Sequence, residues 1–193
     1  FVVFHKKIDR NKQGAKAGND PDYEILQTLD GAWTVNFDPE WGGPSSVVFP
    51  ELIDWTRHSD KRIKYYSGTA VYNKKFTVNF EKNPANRYYL QLENVKDVGI
   101  ASVCINGKDK GIVWTKPFRV DITDGLKKGE NDVVVEVTNS WFNRVAGDEM
   151  AVSPTQTNIV LGNDFRGNAV SEITLEPSGL LGPVTIQVAV EQK

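Results

Sequence analysis

Within the stretch Val137 to Met150, VTNSWFNRVAGDEM, the side chains Trp141, Asn143, Arg144, Asp148 and Glu149 fall close together. An exposed indole can lie flat on the apolar C–H face of a sugar ring while Asn, Arg and Asp bond its hydroxyls. That is the usual mix of one apolar surface with a few placed polar groups. The same residues can also make a fastener, because Arg144 and Asp148, four apart across Gly147, can pair with each other. Asp148 and Glu149 are adjacent, so in an extended segment they face opposite ways and do not form a carboxyl pair across a scissile glycosidic bond. No nucleophile elbow, phosphate-cradling glycine loop or metalloprotease helix occurs in the chain, and nothing in these residues marks it as an enzyme.

Two further clusters have the same mixed chemistry. In ELIDWTRHSD, Asp54, Trp55, Arg57 and His58 lie together, and GIVWTKPFRVDIT offers Trp114, Lys116 and Arg119. Each could line a cleft, or form inter-loop salt bridges over a tryptophan plug, pairs that at a surface contribute about 0–1 kcal/mol. Trp41, Trp55, Trp114 and Trp141 all sit at strand ends or in loops, whereas Trp33 alternates with Val35 and Phe37 on what reads as a core face. The candidate ligand-binding set is therefore Trp114, Trp141, Asn143, Arg144 and Asp148, joined by Trp55 and His58. Asp121 and Asp124 in DITDG are spaced as turn and cap residues, with a structural calcium as the other reading. One cysteine and two histidines cannot supply a closed zinc site, and Cys104, in the apolar run IASVCING, reads as a small buried hydrophobe. No cofactor is implied.

The elements that must position these residues are strands. With 193 residues, 39% hydrophobic content and a net charge of -2, the chain can bury a substantial core. Charges of both signs are interspersed, which argues against nucleic acid and anionic membrane as partners. No apolar run reaches the length of a transmembrane helix, and FVVFHKKIDR lacks the order of a signal peptide. The start reads as an excised piece of a longer protein, with 1–22 as the end strand of a preceding domain plus a polar, glycine-rich linker, and 23–193 as the module proper.

Period-two alternation recurs in Trp33/Val35/Phe37, Phe118/Val120/Ile122, Val133/Val135/Val137 and Val184/Ile186/Val188/Val190, the last set opposed by Thr185, Gln187, Ala189 and Glu191. Asn106-Gly107, Lys110-Gly111 and Gly129-Glu130-Asn131 are expected to reverse the chain between neighbouring strands. No major helix is expected, although PELIDWTRHSD and DITDGLKKG can each hold one turn. About eight short strands with Gly, Pro and Asn loops predict an all-β jelly-roll β-sandwich of two antiparallel sheets.

From YYSGTAVYNKKFTV through YLQLENVKDVGIASVCINGKDKGIVWTKPFRVDITDGLKKGENDVVVEVTNSW, the order of motifs resembles the galactose-binding-like sugar-binding sandwich domain of the family 2 glycoside hydrolases. NSWFNRVAGDEM and the later PSGLLGPVTI are more similar still to the carboxy-terminal module of large bacterial α-L-rhamnosidase-type enzymes, in which a phrase like FVVF closes the preceding domain. The resemblance implies a non-catalytic, carbohydrate-binding-like module of a secreted or periplasmic glycoside hydrolase, rhamnosidase-like or β-galactosidase-like, acting on plant or microbial polysaccharide. No residue here matches the family's catalytic acids. The implied partners are carbohydrate and the catalytic domain of the same polypeptide. The alternative is a structural module that docks on that domain without binding sugar.

Overall fold

A computed structural model describes residues 21–96, 99–150, 152, 157 and 173–190. The strands, in chain order, are β1 (Asp22–Thr28), β2 (Trp33–Phe37), β3 (Val47–Phe49), β4 (Thr69–Val78), β5 (Tyr88–Leu92), β6 (Val95–Lys96), β7 (Ile100–Ile105), β8 (Lys108–Val113), β9 (Arg119–Asp121), β10 (Gly129–Thr138), β11 (Gly179–Leu180) and β12 (Val184–Val190). They form a six-stranded sheet of order β3-β2-β4-β10-β7-β8, a four-stranded sheet of order β1-β12-β5-β9 and a small pair of β11 with β6. Every pairing is antiparallel. The expected all-β sandwich is the fold, with more strands than expected because β6 and β11 are too short to carry a period. The end strand expected at the start of the chain lies outside the described residues.

Alternation builds the core row by row. Val35, Tyr72, Val135 and Val103 stand opposite one another across four strands, and all four are buried. The four-stranded sheet answers with Ile186, Leu90 and Val120 in one cross-strand row, flanked by Val184 beside Leu92 and Val188 beside Tyr88. Full burial of each aliphatic side chain stabilises the fold by about 1.5–3 kcal/mol. A one-residue slip of the long β4/β10 ladder, which runs from Thr69 opposite Thr138 to Val78 opposite Gly129, would turn that whole face outward.

The turn chemistry is partly as expected. Asn106 and Gly107 both take positive φ, 52° and 77°, and close the β7–β8 hairpin as a two-residue turn matched to the strand twist. Lys110-Gly111 does not reverse the chain. It lies inside β8 beside a register shift opposite Val103 and Cys104, so Gly111 serves a β-bulge. β12 also departs from simple alternation: Thr185 and Gln187 are buried as well, because the strand is central, flanked by β1 and β5. Cys104 is half-buried on the outward side of β7 rather than in the core. Phe118 has φ 48° and is half-buried, so the alternation expected from it begins only at Arg119.

One helical turn falls inside ELIDWTRHSD as expected, a second follows directly after it, and an unexpected 3-10 turn spans Pro39–Trp41. A 3-10 turn spans Trp55–Arg57, capped by Asp54, and the short helix α1 spans Lys61–Lys64, capped by Asp60. The helix α2, Phe142–Glu149, is a correction: it occupies the stretch read from sequence as a loop.

One close approach governs how β11 seats. Gly179 has φ 96°, and a Cβ placed there would stand 2.4 Å from the Trp55 indole nitrogen and 2.8 Å from the Tyr72 hydroxyl. Gly179→Ala combines overpacking with a disfavoured backbone, so it is expected to destabilise the chain by about 2 kcal/mol or more in urea unfolding. Gly107→Ala, with open space around it, should cost less than Gly179→Ala.

Candidate functional site

The stretch with the densest chemistry is held from the inside. α2 has no side-chain cap of its own at Trp141. Two of its first-turn N–H groups are satisfied instead by hydroxyls: Phe142 donates to Ser140 Oγ at 3.2 Å and Arg144 donates to Ser67 Oγ at 3.2 Å. Residues Phe142 to Gly147 are all buried, so the helix packs on nearly every side.

Asn143, at 0% exposure, donates from Nδ2 to the Glu176 carbonyl at 2.7 Å and to Ser178 Oγ at 2.8 Å, and its Oδ1 accepts from Glu176 N at 2.8 Å. Arg144 reaches back through Nη1 to the Trp41 carbonyl at 2.9 Å and stands 3.8 Å from Asp148 in an i,i+4 ion pair shielded from water. The other Asp148 oxygen accepts from Thr157 N at 2.7 Å. Asn143, Arg144 and Asp148 therefore fasten the chain to itself, the second of the two roles their types permitted.

Ser178 gathers the network. Its N–H donates to Asp54 Oδ1, its carbonyl accepts from Trp55 N, and its hydroxyl accepts from Asn143 and Asn139. Asn139 also donates to the Tyr66 carbonyl and accepts from Gly68 N. Beneath it, Trp55 Nε1 donates to the Tyr72 hydroxyl at 2.6 Å, and Leu180 N donates to the same oxygen. Complete burial drives the Tyr72 phenol far above its usual range, so it stays protonated at any ordinary pH. Trp55 is 0% exposed: of the two roles open to it, the structure gives it the plug. His58 stacks on Phe49 at 5.6 Å and its Nδ1 accepts from Asp60 N, so its contacts are with β3 and the cap of α1.

What the surface does present is a tryptophan rim. β2 ends at Phe37 opposite Ala70, β10 ends at Thr138 opposite Thr69 and Ile100, and β8 ends at Val113 opposite Ala101. The loops carrying Trp41, Trp141 and Trp114 thus leave the same end of the six-stranded sheet. Trp41 and Trp141, each 45% exposed, meet edge to face at 5.3 Å, and Trp114 is 71% exposed. Trp41 was not in the expected binding set, and its partnership with Trp141 joins loops a hundred residues apart, beyond any local signal. Asp121 and Asp124, the candidate calcium pair, are engaged by Arg87 and Lys110, respectively. Among the described residues no group of three or more His, Cys, Asp or Glu side chains is arranged to hold a metal ion.

No known family model matches the chain. A protein of Formosa agariphila described as "Putative beta-glucuronidase" is 37% identical over 183 residues, a match covering 85% of this chain and 16% of that protein. Among solved structures, the rhamnosidase from Novosphingobium sp. PP1Y superposes with a TM-score of 0.76 at 30% identity, over 97% of this chain and 16% of its own. A Ruminococcus gnavus beta-glucuronidase, with a TM-score of 0.54 at 20% identity over 87% of this chain and 28% of its own, shares the fold alone. The chain is an antiparallel β-sandwich that is similar to a small segment of large glycoside hydrolases. Within that class, its fold and sequence are similar to a segment of the Novosphingobium rhamnosidase, and it spans 16% of the length of that protein and of the Formosa relative.

Two measurements separate fastener from surface. Asn143→Ala removes three hydrogen bonds from a fully buried position and is expected to cost about 1–3 kcal/mol in urea unfolding, whereas exposed Trp114→Ala should stay within about 0.5 kcal/mol. Asp60 caps α1, and the bonds from Arg62 hold its carboxyl below the usual range. A depressed folded value means that its contribution is present above the unfolded pKa and fades as pH falls through the folded one. Asp60→Ala should therefore cost about 1 kcal/mol at pH 7, and the deficit should shrink as pH falls through and below the ordinary carboxylate range.

Proposed function

We propose that this chain is a non-catalytic module of a larger glycoside hydrolase and that its tryptophan rim is the face that docks on the neighbouring catalytic domain. The observation that carries the reading is the contrast at α2: Trp41 and Trp141 stand exposed while Asn143, Arg144 and Asp148 are spent on internal bonds. A sugar site needs placed polar groups beside its aromatic platform, and those three supply none outward. Large aromatic side chains on a rigid frame are, by contrast, the usual anchors of a protein–protein interface. Ile100 adds to the apolar character of the rim, exposed at the start of β7 next to Thr138.

The similar proteins support the setting, since each is several times longer than this chain. An α-L-rhamnosidase-like parent acting on polysaccharide outside the cytoplasm fits the stronger structural likeness. Among the described residues no helix is long and apolar enough to cross a membrane.

In the full-length protein, the double variant Trp41→Ala/Trp141→Ala should lower the thermal midpoint of the catalytic domain and speed limited proteolysis between domains. Soluble polysaccharide should be retained as well by the variant chain as by the original. Loss of polysaccharide retention, with interdomain proteolysis unchanged, would favour carbohydrate capture at the rim and overturn the docking reading.

A further inference from the structure

The outer face of the four-stranded sheet holds a second feature with unspent chemistry. β12, β5 and β9 lie side by side, with Thr185 opposite Gln91, Gln91 opposite Arg119, and Gln187 opposite Tyr89. Gln91, Glu93, Lys116, Pro117, Arg119 and Gln187 line an open recess of 520 Å³ there. Gln91 and Gln187 are only 6% and 7% exposed, yet the Oε1 atom of each has no hydrogen-bond partner, and neither has Arg119 Nε.

Their other ends are anchored. Gln91 Nε2 donates to the Pro117 carbonyl, and Gln187 Nε2 donates to Thr185 Oγ1 at 3.1 Å. The Arg119 guanidinium lies 3.4 Å over the Tyr23 ring, and Tyr23 meets Tyr89 edge to face at 5.3 Å. The recess is thus a fixed set of groups whose free valences are known: two amide oxygens that accept, and a stacked guanidinium with a free donor.

Buried polar atoms are ordinarily satisfied, and a pair of orphaned acceptors beside an orphaned cationic donor marks a place where a ligand completes the bonding. Two carbonyl oxygens require O–H or N–H donors. Arg119 and exposed Lys116 require an anionic or strongly accepting oxygen. Asp121, the nearest acid on β9, is engaged by Arg87 and does not neutralise them. Glu93, the residue just after β5, adds a carboxylate acceptor for hydroxyl groups. A polyhydroxylated ring bearing a carboxylate meets every requirement at once.

We infer that this recess binds an acidic carbohydrate, a uronate-containing oligosaccharide, with its hydroxyls on Gln91 and Gln187 and its carboxylate toward Arg119 and Lys116. The site shares the loop of Trp114 but none of the Trp41–Trp141 pair, and it stands whether or not that pair docks.

Calorimetric titration of the 193-residue chain with tetragalacturonate, against neutral galactotetraose, tests it. Tetragalacturonate should bind at least tenfold more tightly than the neutral sugar, and raising salt from 50 to 500 mM should weaken it severalfold. Gln187→Leu, which keeps the buried volume, and Lys116→Ala, at an exposed position, should each weaken binding while the circular-dichroism melt stays cooperative. No heat with either sugar at 10 mM would overturn the assignment, as would equal affinity for both. Weakening by Trp141→Ala alone, with Gln187→Leu unaffected, would move the site to the rim and overturn it too.

Discussion

Ser178 is the point on which the arrangement of this sandwich depends. One buried residue joins the Asp54–Trp55 turn, the end of β10 through Asn139, and α2 through Asn143. The next residue, Gly179, lets β11 pass against the Trp55–Tyr72 pair where no side chain would fit. Hydrogen bonds in a dry interior are worth little net when formed but leave a large penalty when broken, so such a knot fixes geometry more than it adds stability. Here it fixes which way the chemistry of α2 faces.

The consequence runs outward from that knot. Because Asn143 is committed to it and Arg144 and Asp148 to other internal bonds, the surface above is left to Trp41 and Trp141, whose mutual position is set by the bond from Arg144 to the Trp41 carbonyl. A rigid aromatic surface results, with little side-chain entropy left to lose on contact. On the other sheet, the four-stranded one, free polar valences remain in Gln91, Gln187 and Arg119. The module thus separates an apolar end from a polar face, and the two lie on different sheets.

Strand alternation made the sandwich legible, because period two is a local property: Trp33, Val35 and Phe37 point inward as read, and Asn106-Gly107 turns as read. α2 was illegible for a physical reason. At eight residues the helix is too short for its period to stand out, it has no side-chain cap at Trp141, and its first-turn donor at Arg144 is satisfied by Ser67, 77 residues away. Trp55 looked like a loop aromatic because its neighbours Asp54, Arg57 and His58 are polar, while the space that swallows it is made by Phe37, Tyr66 and Tyr72. Gln187 reads as a position on the face opposed to the core, and nothing local singles out Gln91. Only the sheet order, which makes β12 central and sets β5 between it and β9, encloses them. The family likeness was legible in the motifs from Tyr65 onward, and the structural match to a rhamnosidase segment covers the same span.

The central claim is that the α2 stretch is an internal fastener beneath a docking rim. Amide hydrogen exchange compared between the isolated 193-residue chain and the full-length protein tests it most directly. The account predicts that amides of α2 are strongly protected in both, while those of the loops carrying Trp41, Trp114 and Trp141 gain protection only in the full-length protein. Rapid exchange of α2 in the isolated chain, or rim amides that exchange equally in both, would contradict it.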